Sequence, residues 1–177
     1  MSCSRRGALG LLAGAALGGP VLGGCGFRPL HGTAEEGGAG GAGPNALAGI
    51  KINLIADRVG QDLRNQLLDR LTPRGQPDKP SHVLEVHLRE TIRQLGIRSD
   101  ATATYASLEL GAESILLDAT TGKPVFRAQS RSFNSYNIVR SAFANLLAEQ
   151  DARRRAVIEL AEDIQLRIGL FLTRRAS

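Results

Sequence analysis

From Ser81 to Asn134 the chain alternates apolar and polar residues with few interruptions, and that pattern admits few folds. Leu84, Val86, Leu88 and Ile92 occupy even positions, while Glu85, His87, Arg89 and Arg93 occupy odd ones. Successive side chains of a strand point to opposite faces, so this spacing predicts a long strand with one buried and one wet face. Gly96–Asp100 reads as a turn. Alternation resumes over Ala101–Asp118 through Thr102, Thr104, Ala106, Leu108, Leu110 and Leu116, with Tyr105, Ser107, Glu109 and Glu113 opposite. Thr120-Thr121-Gly122-Lys123 makes a second tight turn, and Val125–Asn134 is the third strand. Strands joined by short turns run antiparallel. A sheet with one apolar face requires a cover.

Two amphipathic segments supply it. Ile50, Ile52 and Leu54 form a short strand ahead of the first. Asp57 is placed to cap a helix in which Val59, Leu63, Leu67 and Leu71 recur every four residues beside Leu68. Pro73, Gly75, Pro77 and Pro80 end it in a turn-rich loop. The second helix spans about Arg140 to Leu172, with Phe143, Leu146, Leu147, Val157, Leu160, Ala161, Ile164, Ile168 and Phe171 at helical spacing. Arg153-Arg154-Arg155, Glu159, Glu162 and Asp163 fall mostly on its other faces and read as solvated surface. The expected fold is α/β in the α+β sense: a two-layer sandwich, two helices on a four-stranded mixed sheet, in the order β-α-β-β-β-α.

The front of the chain is an address. Arg5 and Arg6 precede an apolar run from Ala8 to Leu22, followed by Leu22-Gly23-Gly24-Cys25. The run is short for a spanning helix, which needs about 20 apolar residues, and the order of regions is that of a secretion signal. The last four residues match the lipobox of bacterial lipoproteins, in which the chain is cut before the cysteine and the cysteine is acylated. Residues 1–24 are therefore expected to be a signal peptide and Cys25 the lipidated start of the mature chain. One acyl chain holds a protein only weakly, and several hold it stably. Residues 25–49, rich in glycine, read as a tether that reaches on the order of 25 Å as a flexible coil. The folded domain is expected over residues 50–172, with 173–177 as a tail.

Composition removes several function classes. Cys3 leaves with the signal and Cys25 carries lipid, so the mature domain has no cysteine left for a disulfide. The signal also removes two arginines from a formal charge of +5, which makes nucleic acid an unsuitable partner. His31, His82 and His87 are the only histidines. His82 and His87 are an odd number of residues apart in a strand and face opposite sides, so they cannot share a metal there. No nucleophile motif, metal signature or phosphate loop is present. No enzyme and no cofactor is expected beyond the covalent lipid.

Several local sequences together resemble the lipopolysaccharide-assembly lipoprotein family LptE, in its divergent alphaproteobacterial form. They are Cys25-Gly26-Phe27-Arg28-Pro29-Leu30, Asp57-Arg58 leading to Gln61-Asp62-Leu63-Arg64-Asn65-Gln66-Leu67, Arg131-Ser132-Phe133, and Ala148-Glu149-Gln150-Asp151-Ala152. The resemblance covers most of residues 25–172 and rests on the order of these pieces behind a lipobox. It implies an outer-membrane lipoprotein on the periplasmic side that plugs the β-barrel LptD, assists its assembly and contacts lipopolysaccharide. Gly26 after the lipid, rather than Asp, agrees with outer-membrane delivery. The surface expected to meet the barrel is the polar sheet face with Glu85, His87, Arg89, Tyr105 and Glu109. The family carries a basic residue in the turn before the strand that holds Tyr105, and Arg98 stands there. Arg93 and Lys123 complete the basic residues expected to meet phosphates. A second basic position of the family, early in the last helix, falls near Leu146 and is unmatched. A competing reading is a periplasmic auxiliary lipoprotein of an ABC-type lipid transporter, which shares a lipobox and a small α/β domain.

Overall fold

A computed structural model describes residues 47–97 and 103–176. The elements are β1 (Ile50–Ile52), α1 (Asp57–Leu71), β2 (His82–Ile97), β3 (Ala103–Asp118), β4 (Pro124–Asn137) and α2 (Ala142–Ala176), in the order read from the sequence. The signal segment, Cys25, most of the glycine-rich stretch and Arg98 lie outside the described residues.

The four strands lie side by side in chain order, β1-β2-β3-β4. β1 pairs with β2 in parallel, and the other two pairings are antiparallel. A parallel neighbour needs a crossover, which α1 provides. Burial then follows the alternation: Leu84 and Val86 on β2, and Ala106, Leu108, Leu110, Ala112, Ser114 and Leu116 on β3, face the helices. Both helices lie on this side. α1 contributes Leu63, Leu67 and Leu71, and α2 contributes Ala152, Ala156, Val157, Leu160, Ala161, Ile164, Ile168 and Leu172, all in one cluster with Ile50, Ile52 and Ile55. Removing each large aliphatic side chain from water is worth roughly 1.5–3 kcal/mol. Aliphatic packing therefore holds a domain that has no disulfide.

Several details differ from the sequence reading. Leu47 is buried, so the folded unit begins before Ile50. β1 stops at Ile52, leaving Leu54 79% exposed, and Ile55 turns into the core instead. Asp57 does not cap α1: the N-cap is Ala56, with no side-chain hydrogen bond, and Asp57 itself has φ 66°. Gly60 opens the fully buried stripe, with Val59 only partly buried beside it. A Cβ there would come within 2.7 Å of Ile55 Cγ2, so the helix closes on the chain before it only because residue 60 is glycine. The stripe predicted on α2 starts too early. Phe143, Leu146 and Leu147 are largely exposed, because α1, at 15 residues, is less than half the length of the 35-residue α2 and cannot cover that end. α2 also runs on through Ala176, past the boundary expected at Leu172.

β4 is the largest departure. The middle of its inward face is polar: Ser130, Ser132 and Asn134 are buried between Phe126, which stacks on Phe171 of α2, and Tyr136, while Phe133 points outward and is 63% exposed. The helix answers Ser132 and Asn134. Glu159 accepts hydrogen bonds from Ser132 Oγ and from Asn134 Nδ2, the latter at 3.1 Å, and Arg155 Nε donates to Asn134 Oδ1 at 3.0 Å. Arg153 grips Glu90 of β2 with Nε and Nη2, at 2.9–3.0 Å, and also bonds Glu149. Tyr136 Oη donates to Glu149 at 3.2 Å. Burial and the Glu149 carboxylate both push the Tyr136 phenol above its ordinary range. Arg153, Arg155 and Glu159 are therefore parts of a polar seam between helix and sheet, not the plain solvated surface expected.

Candidate functional site: the open face of the sheet

No element covers the other side of the sheet among the described residues. The antiparallel register aligns its outward residues in rows across three strands: His87–Glu113–Gln129, Arg89–Gly111–Arg131, Thr91–Glu109–Phe133, Arg93–Ser107–Ser135 and Leu95–Tyr105–Asn137. Glu85, His87, Arg89, Arg93, Tyr105 and Glu109, singled out from the sequence, thus share one surface. Lys123 does not join them. It lies beyond Asp118 at the other end of the hairpins, on the order of 35 Å from Arg93 at about 3.4 Å per residue.

The β4 contribution to this face was missed. Arg127, Gln129, Arg131 and Phe133 point outward with the residues above. The available signal was parity: once Ser130, Ser132 and Asn134 are assigned inward, their neighbours must face out. The polar residues do not announce an inward face by themselves, and Phe126 and Ala128 were the apolar residues of the same parity that marked it.

The face is mixed in charge but not balanced. Glu113 pairs with Arg127 at 3.5 Å, and Glu85 accepts a hydrogen bond from Asn53 Nδ2 at 3.3 Å. Arg89, Arg93 and Arg131 have no ion-pair partner among the described residues. They and His87, Thr91, Glu109 and Gln129 line a shallow hollow of about 590 Å³ centred on Gly111. A larger groove of about 750 Å³ runs between α1 and α2, and Arg153, which lines it, is already bound by Glu90 and Glu149. Among the described residues no group of three or more His, Cys, Asp or Glu side chains could hold a metal ion. None of the described helices is long and apolar enough to cross a membrane.

At the hairpin base, Asp118 accepts hydrogen bonds from the Thr121 and Thr120 amides at 2.9 and 3.0 Å, which hold its carboxyl below the usual range. Gly122 completes that turn at φ 67°, a conformation a side chain would disfavour. Opposite Asp118, partial burial and the Arg175 charge hold the His82 imidazole below its ordinary 6.5.

Among the described residues, a mixed sheet covered by two helices on one side only, with a polar and arginine-bearing second side, defines a two-layer α+β domain with one open face. The family model "LptE: Lipopolysaccharide-assembly" matches residues 47–168, and the chain belongs to that family. Solved structures agree in fold. A Caulobacter crescentus chain described as a lipoprotein is 27% identical, with a TM-score of 0.59 over 75% of this chain and 96% of that one. Rare lipoprotein B from Shewanella oneidensis is 12% identical, with a TM-score of 0.58 over 72% of this chain and 98% of that one. A minor lipoprotein from Acinetobacter baumannii is 20% identical, with a TM-score of 0.53 over 69% and 90%. No curated protein sequence matches the chain.

Proposed function

We propose that this protein is an outer-membrane lipoprotein, anchored through acylated Cys25, that seats in the lumen of the lipopolysaccharide-translocating β-barrel LptD. There it assists barrel assembly and contacts lipopolysaccharide on its way to the cell surface. The observation that carries the reading is the one-sided sheet: an isolated domain that leaves three long strands uncovered on one side presents a ready docking surface. Barrel lumens are polar and water-lined, and the open face supplies arginines, glutamates and hydroxyls in rows. Membership in a lipopolysaccharide-assembly family supports lipopolysaccharide as the cargo. The role is binding and scaffolding, not catalysis.

Solubilising the outer membrane in mild detergent and recovering the protein tests this directly. A very large β-barrel is expected to come down with it, whereas recovery with an ABC transporter contradicts the proposal. Two substitutions separate the parts. Cys25→Ser removes the acylated thiol and is expected to release the protein from membranes; retention in the membrane pellet would contradict lipidation at that residue. Arg98→Asp is expected to weaken lipopolysaccharide binding while the barrel complex survives. Undiminished binding in a pull-down removes Arg98 from the contact.

A further inference from the structure

Gly111 stands in the middle of β3, a 16-residue strand. A glycine in a strand interior weakens it, because it has no side chain to pack and the most backbone freedom to lose. Nothing in the fold demands one at this position. Its φ is not in the left-handed region, and an added Cβ would meet only the Arg89 carbonyl oxygen, at an ordinary 3.8 Å. What the missing side chain does create is space. Register places Arg89 on one side of Gly111 and Arg131 on the other, with Arg93 two positions along β2 from Thr91. The hollow of about 590 Å³ opens between them.

The charge in that hollow is unspent. Of its two carboxylates, Glu113 is engaged by Arg127 at 3.5 Å. Glu109 alone remains against three guanidinium groups. Arginine forks match the oxygens of a phosphoryl group in a way a single ammonium does not, and a glycine floor lets such a group approach the sheet closely. Thr91 and Gln129 add neutral hydrogen-bonding side chains at the rim.

We propose that the hollow over Gly111 is a phosphoryl-binding site, with Arg89 and Arg131 as its two jaws and Arg93 at its rim. It rests on the function proposed above for the bearer of that group, the phosphorylated saccharide head of lipopolysaccharide. Arg98, outside the described residues, is no part of it. The site gives the open face a second task beside barrel docking, holding cargo midway along the sheet.

The test uses the full chain in detergent, with lipopolysaccharide and its phosphatase-treated form as probes. The variants are Arg89→Ala/Arg131→Ala and Gly111→Thr, each with its thermal midpoint measured. The native chain is expected to bind the phosphorylated form at least tenfold more tightly. The double variant is expected to lose that difference. Gly111→Thr is expected to lose it too while its thermal midpoint holds or rises, since a β-branched residue suits a strand better than glycine. A purely structural glycine gives the opposite pattern, a lower midpoint with binding unchanged, and that result overturns the site. Equal binding of both probes by the native chain also overturns it while leaving lipopolysaccharide contact intact. Binding of neither probe contradicts the cargo half of the proposed function together with this site. Loss of the barrel from Gly111→Thr membranes, with phosphate preference kept, assigns the hollow to protein docking instead.

Discussion

Gly60 and His82 show how single side chains set the limits of this fold. A methyl at residue 60 meets Ile55 Cγ2 at 2.7 Å, and the Ile55 backbone carbon at 3.1 Å. Overpacking of that kind costs about 1–3 kcal/mol, so Gly60→Ala is expected to lower the urea midpoint by a corresponding amount. An unchanged midpoint would mean that the chain before α1 shifts freely. His82 sets a pH limit. Its folded-state pKa lies below 6.5, because burial and the nearby Arg175 charge oppose protonation. The unfolded chain therefore takes up the proton first. Stability contributed by neutral His82 is complete above about pH 6.5 and falls as the pH drops through that value toward the lower folded pKa. Replacing His82 with Gln is expected to flatten the urea-midpoint profile between pH 7.5 and 5.5. A profile as steep as the native one would assign the loss to other groups.

Among the elements, the seam between β4 and α2 is the least legible in the sequence. Alternation identified β2 and β3 with their buried faces, because there the inward residues are Leu, Val and Ala and the outward ones Glu, Arg and Ser. β4 alternates too, but only Phe126 and Ala128 at its start and Tyr136 near its end give its inward face an apolar signature, and its middle alternates between two polar sets interrupted by the outward Phe133. The same difficulty concealed the roles of Arg153, Arg155 and Glu159, which read as ordinary helix surface until Ser132, Asn134 and Glu90 are placed opposite them. Phe143, Leu146 and Leu147 failed for a different reason. Helical spacing shows which residues share a stripe, and it cannot show how far a neighbouring element reaches along that stripe. The seam has its own test. Glu159→Ala leaves the Ser132 hydroxyl buried without its acceptor, while Asn134 keeps its bonds to Ser132 Oγ and Arg155, a loss of about 1–3 kcal/mol. Leu160→Ala, one residue along in the apolar cluster, is expected to cost about 2–5 kcal/mol. Equilibrium unfolding compares the two. If Glu159→Ala unfolds like the native chain, the seam is solvated surface after all.

For the whole molecule, the two-layer architecture and its one-sided sheet were legible in the sequence, since each apolar stripe had to find the single apolar sheet face. Which outward residues form the candidate site was only partly legible. Register unites Arg89 with Gly111 and Arg131, and period two reports a residue's face but not its partner on the next strand. The proposed function requires that face to be buried in the assembled envelope. It is tested most directly by placing a photo-crosslinking residue at Glu109, at the centre of the open face, and irradiating intact cells. The expected product is an adduct with a very large outer-membrane β-barrel protein. An adduct with an inner-membrane transporter instead, or none with any barrel, would contradict it.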